Sequence, residues 1–167
     1  QNLPIVPITD LAIKDDNLIV ATQGRSLWVI DDLTPLHQLN SSTLKKEVVL
    51  YKPKDAYNLS GGNGRTSRTA GTNHAGGVAV NYFIKNANEK DTISLSFYDL
   101  NDNLIKKFST KPNKEKEEST LKVEDGNNIF NWNMMYDGAE SVDGMILWWA
   151  SLNGPMALPG TYKVELA

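Results

Sequence analysis

Apolar and polar residues alternate with a period of two in a series of short runs, most of them in the second half of the chain, and no segment keeps a helical period over a useful length. These runs predict strands. Val78, Val80, Tyr82 and Ile84 alternate with Ala79, Asn81 and Phe83, and Ile93, Leu95 and Phe97 alternate with Thr92, Ser94 and Ser96. Such runs are half-buried antiparallel strands that bury their apolar face. Residues 98–103 supply a turn into Leu104 to Phe108, which predicts a hairpin. Ile129, Phe130 and Trp132 mark another strand, and Tyr162, Val164 and Leu166 alternate with Thr161, Lys163 and Glu165 in the last. A first strand, Glu47-Val48-Val49-Leu50-Tyr51, ends at Pro53. Strands spaced by turns and joined without helical crossovers predict an all-β fold, an immunoglobulin-like β-sandwich over residues 47–167.

Ahead of the sandwich, two β-rich runs at 10–15 and 18–22 flank the turn formers Asp15, Asp16 and Asn17. A third run, 23–32, carries Leu27-Trp28-Val29-Ile30 before Thr34-Pro35-Leu36 ends the pattern. Two or three strands cannot bury both faces alone, whereas a propeller blade has about four and rests on its neighbours. Residues 1–38 therefore read as remnant strands of a β-propeller's last blade, and 39–46, with Asn40-Ser41-Ser42-Thr43, as a polar linker. On this reading the chain is a fragment whose last strand stops short at Leu166-Ala167. The glycine-rich stretch 60–71 has little to bury and reads as a loop; no Lys-Ser/Thr ending or helix pattern follows it, as a phosphate cradle requires. Residues 111–118 read as a solvated mixed-charge loop.

Composition narrows the function. A net charge of -3, with Arg25, Arg65 and Arg68 as the only arginines, offers no footprint for nucleic acid. The longest apolar run, 145–150, is far below the ~20 residues that span a bilayer, so no membrane span is expected, and Gln1 opens no signal-peptide pattern. Zero cysteine removes disulfides, thiolate nucleophiles and sulfur-based zinc sites. His37 and His74 are the only histidines and read as packing or solvent residues, so neither a metal nor a cofactor is assigned. The sequons at Asn40 and Asn58 read as chance matches in an Asn-rich chain.

Three segments together carry a family likeness: 21–32 (Ala-Thr-Gln-Gly-Arg-Ser-Leu-Trp-Val-Ile-Asp-Asp), 126–136 (Gly-Asn-Asn-Ile-Phe-Asn-Trp-Asn-Met-Met-Tyr) and 158–166 (Leu-Pro-Gly-Thr-Tyr-Lys-Val-Glu-Leu). Over nearly its whole length the chain resembles the C-terminal part of bacterial secreted, sialidase-like proteins with Asp-box repeats, labelled glycosyl hydrolases and related to sortilin-type propellers. Its last strand also resembles the immunoglobulin-like domain of flagellar hook-capping proteins. The resemblance implies a propeller followed by a β-sandwich, and a secreted, periplasmic or cell-surface location. The family pattern runs Gly-x-Asn-Arg-Phe-x-Trp-Asp-x-Arg-Tyr. Here Asn128, Phe130, Trp132 and Tyr136 keep register, while Ile129, Asn133 and Met135 stand where Arg, Asp and Arg are usual. A site needing those charges would not survive the change, whereas a fold-supporting cluster would.

Glycoside hydrolysis needs two carboxyl groups across one sugar. Asp137 with Asp143 is the tempting pair, but each precedes a glycine in a turn signature, so no catalytic residue is assigned and any acid and nucleophile are expected in the propeller. The functional hint is aromatic. Trp148 and Trp149 are adjacent, so in a strand they face opposite sides and at least one leaves the core. An exposed indole either packs on a neighbouring domain or forms a platform for a sugar ring, with Ser151 or Asn153 supplying hydrogen bonds. Trp148, Trp149 and Asn153 are therefore the candidate ligand-binding residues. The expected role is a non-catalytic accessory domain that braces or orients its own propeller. A carbohydrate-binding module is the rival, and an enzyme fragment contributing to the propeller's cleft the third reading. Self-association is expected through the exposed strand edges near Leu18 to Ile30.

Overall fold

In the computed structural model, residues 3–57, 76–88, 90–113, 119–140, 142 and 144–167 are described. The expected glycine-rich loop, His74, Asn58, Asp143 and most of the mixed-charge loop lie outside them. The chain divides into two compact units, Gln1–Lys46 and Glu47–Ala167.

In the first unit, β1 (Ile8–Lys14), β2 (Asn17–Thr22) and β3 (Leu27–Ile30) form an antiparallel sheet in chain order. Asp15 and Asp16, at φ 49° and 63°, close the β1–β2 turn. Two successive positive φ values match the twist of a two-residue hairpin and favour Asp. The segment that follows carries two single turns. Pro35 opens a one-turn helix, α1 (Thr34–His37), and a single 3₁₀ turn covers Thr43–Lys45. Asn40 Oδ1 accepts from the Ser42 and Thr43 main-chain N–H groups and from Ser42 Oγ, which explains how a polar run with no apolar period still folds locally.

The second unit contains β4 (Val48–Leu50), β5 (Val78–Ile84), β6 (Ser94–Tyr98), β7 (Leu104–Ser109), β8 (Ser119–Thr120), β9 (Gly126–Trp132) and β10 (Lys163–Leu166). One sheet has the order β4-β5-β9 and the other β10-β6-β7-β8; all pairs are antiparallel except β7–β8. The fold is all-β and sandwich-like. Period-two alternation puts Val80, Tyr82 and Ile84 of β5 on one side of the core and Leu95 and Phe97 of β6 on the other. Trp132 stacks on Phe97 at 4.5 Å and Phe108 meets Phe130 at 4.5 Å, so rings from both sheets interlock. On β7 one extra residue, Ile105, falls between the pairs Tyr98–Leu104 and Phe97–Lys106, and it is buried. Such a bulge adds an apolar side chain without losing the register.

The β6–β7 turn is held by Asp99. Its Oδ1 accepts from the main-chain N–H groups of Asn101 and Asn103, and its Oδ2 accepts from Asn103 Nδ2. The Asn103 side chain first, then the Asn103 and Asn101 main-chain groups and the Lys163 charge, hold the carboxyl below its ordinary value of 3.8. A lowered folded value contributes stability that is full above the unfolded value and is lost as pH falls through the folded one. Urea stability should therefore decline on acidification below about pH 4. In Asp99→Asn the decline should be smaller; an unchanged acid limb in that variant would show that Asp99 has no part in it.

Candidate functional site

Between β9 and β10 the chain leaves the sandwich as an irregular arm. Met134, at φ 57°, turns the chain out of β9, and Asn133 Oδ1 accepts from the Met135 main-chain N–H at 3.2 Å. The two limbs are joined by few main-chain contacts: a Met135–Met156 bridge, Tyr136 N–H to Pro155 O at 2.9 Å, Ala139 N–H to Leu152 O at 3.0 Å, and Ala157 N–H to Met134 O at 2.6 Å. Two glycines permit this approach. A Cβ on Gly138 would lie 2.0 Å from Leu152 O, and one on Gly154 would lie 2.2 Å from Tyr136 O. Ala157, buried in the core, anchors the returning limb. Lys106 Nζ reaches Asp137 Oδ1 at 3.4 Å and ties the outgoing limb to β7.

The tip of the arm is apolar and open. Val142, Met145, Ile146, Leu147, Trp148 and Trp149 are all exposed, Trp148 at 87% and Trp149 at 97%. Neither indole lies in a strand, so neither is turned inward by alternation. Asn153, exposed on the returning limb, donates its main-chain N–H to Ser151 Oγ at 3.0 Å. Asp137 serves the Lys106 contact, and its expected companion Asp143 is outside the described residues. His37 closes α1, and among the described residues no group of three His, Asp or Glu side chains is placed to hold a metal ion.

The family-like stretch 126–136 divides by direction. Asn128 Nδ2 donates to Glu124 O and Gly126 O, and its Oδ1 accepts from Glu124 N–H, which fixes the entry into β9. Phe130 and Trp132 face the core, while Ile129 and Asn133, two of the three positions that differ from the family pattern, are exposed. Ile129 sits on the outer, exposed face of β9, paired with Asn81, while Asn133 and Met135 follow the strand where the chain turns out of the sheet.

Sequence reasoning missed a shallow cleft of about 380 Å³ lined by Asp99, Leu100, Tyr136, Met156, Thr161 and Tyr162. It joins the β6–β7 turn, the arm and the turn before β10, which no single motif brings together. Tyr162 donates its hydroxyl to Leu158 O, and burial, then the Tyr136 and Asp99 charges, raise it above 10.0, so it stays a neutral donor. With the Asp99 oxygens engaged by their own turn, the cleft's lining is mainly aromatic and aliphatic.

The first unit adds a second apolar surface. Cross-strand register aligns Leu11, Val20 and Trp28, and Ile13, Leu18 and Ile30, on one face of its sheet. Ala12, Ile19 and Val29, with Ala21 and Leu27, align on the other. Leu11, Ile13 and Ile30 are exposed on the first face and Leu27 and Val29 on the second. A sheet exposed to water on one side keeps that side polar; this one is apolar on both. Comparison with family models, curated proteins and solved structures finds no match to this chain.

Proposed function

We propose that this chain is a non-catalytic accessory module of an exported, sialidase-like propeller protein: residues 1–38 are strands of the last blade, and the sandwich braces or orients the propeller through its arm. The observation that carries this reading is the sheet with two apolar faces. A propeller blade packs on a neighbour on each side, and a sheet serving that role needs both faces apolar. The arm supplies a compatible docking surface, since exposed apolar clusters of this kind mark interaction sites. The sequence resemblance names the partner as the chain's own propeller.

A second reading, carbohydrate binding, rests on two almost fully exposed indoles beside polar Ser151 and Asn153. Affinity electrophoresis and calorimetry against a polysaccharide panel separate the two. Docking predicts no saturable binding at millimolar ligand. Because the indoles are exposed, Trp148→Ala and Trp149→Ala should each leave the chain's own stability within about 0.5 kcal/mol. Saturable binding that one of these variants abolishes would replace bracing with sugar binding.

A further inference from the structure

Among the described residues the second sheet ends at β10, and the geometry of that edge points to an occupant. Ala167 and Ser94 exchange both main-chain hydrogen bonds, at 2.8 and 3.0 Å. In an antiparallel ladder the bonded pairs alternate, so with the register Glu165–Ser96 and Lys163–Tyr98 the bonds to β6 fall on odd-numbered residues. The N–H and C=O groups of Val164 and Leu166 therefore face away from the sheet. The other edges of the second unit are blunted: β8 has two residues and β4 three, and the start of β9 is engaged by Asn128. Along β10 there is no proline and no bulge.

We infer that the β10 edge takes the β10 strand of a second copy of this chain, antiparallel across a two-fold axis at Val164. Charge selects this register. With Val164 opposite Val164 of the second copy, Lys163 stands opposite Glu165 and Glu165 opposite Lys163, while Tyr162 and Leu166 meet on the inward face. Centring the axis on Glu165 or Lys163 instead sets like charges directly opposite, which is unfavourable. Within one chain Lys163 Nζ already reaches Asp102 at 2.6 Å, and an ammonium has further donors for Glu165 of the second copy. The pairing joins two four-stranded sheets into one continuous sheet. It is short, so association is weak and depends on concentration.

Sedimentation equilibrium up to about 1 mM protein tests this. The weight-average mass should rise from 18.5 kDa toward twice that value. Lys163→Glu and Glu165→Lys should each weaken association by about tenfold or more, because each turns two attractive pairs into repulsive ones. The double charge swap should restore it. That rescue isolates the contact between copies, since the swap leaves the Asp102 contact broken. Both side chains are exposed, so the variants keep the fold. A chain that stays monomeric throughout overturns the inference, as does association that ignores both single variants or fails to return in the swap.

Discussion

Trp132→Ala should destabilise the sandwich by about 3 to 5 kcal/mol, the range for deleting a large buried aromatic side chain. Trp132 is 1% exposed, stacks on Phe97 at 4.5 Å and meets Tyr162 edge-on at 5.6 Å. It thus links β9, β6 and the approach to β10. Set against a total of about 5 to 15 kcal/mol for a typical domain, the loss would leave the unit near its unfolding threshold. Trp132→Phe separates ring packing from indole hydrogen bonding. Indole Nε1 is buried without a partner, and an unmet buried donor carries a penalty of about 1 to 3 kcal/mol. Phenylalanine keeps a ring against Phe97 and removes that donor, so it should cost less than about 1.5 kcal/mol. Urea unfolding followed by fluorescence and circular dichroism checks both values. Equal losses in the two variants would contradict this, because a phenyl ring would then fail to replace the indole against Phe97.

Gly77→Ala should cost about 3 kcal/mol, combining left-handed backbone strain of about 1 to 2 with overpacking of about 1 to 3. Gly77 has φ +99°, and a Cβ there would lie 2.1 Å from Trp132 O and 2.9 Å from Trp132 C. Those atoms are backbone and cannot rotate away. Val78, the next residue, pairs with Trp132, so the substitution pries apart the start of the longest strand pair in the sandwich. Gly76 is the internal control: nothing lies within 4 Å of its Cβ position, and Gly76→Ala should shift stability by no more than about 0.5 kcal/mol. Matching urea midpoints for the two alanine variants would refute the close contact at Gly77.

The strands with strict alternation were legible because burial on one face writes itself into every second residue. β5 and β10 keep that alternation in their burial, and the Asp99 turn between β6 and β7 is a local hydrogen-bonding device that needs no tertiary information. Trp132 was legible as core for the same reason. The arm was not. Its limbs are joined by isolated main-chain bonds and by the absence of Cβ atoms at Gly138 and Gly154, which leaves no period to read. The indole pair was readable as one that alternation cannot bury completely, while its position at an irregular tip, with both rings open, needed the arm's geometry. α1 and the 3₁₀ turn escaped because single turns, one begun by Pro35 and the other preceded by the Asn40 hydrogen bonds, carry no hydrophobic repeat. The cleft at Tyr136 and Tyr162 is assembled from three separate segments, and its lining residues share no spacing.

Hydroxyl-radical footprinting of Trp148 and Trp149 tests the proposed docking role most directly. It is read residue by residue, in this chain and in a polypeptide that carries a complete sialidase-like propeller ahead of the sandwich. The expected result is rapid oxidation of both indoles in this chain, as their 87% and 97% exposure requires, and strong protection of at least one when the propeller is present. Equal oxidation in the two polypeptides would contradict the account.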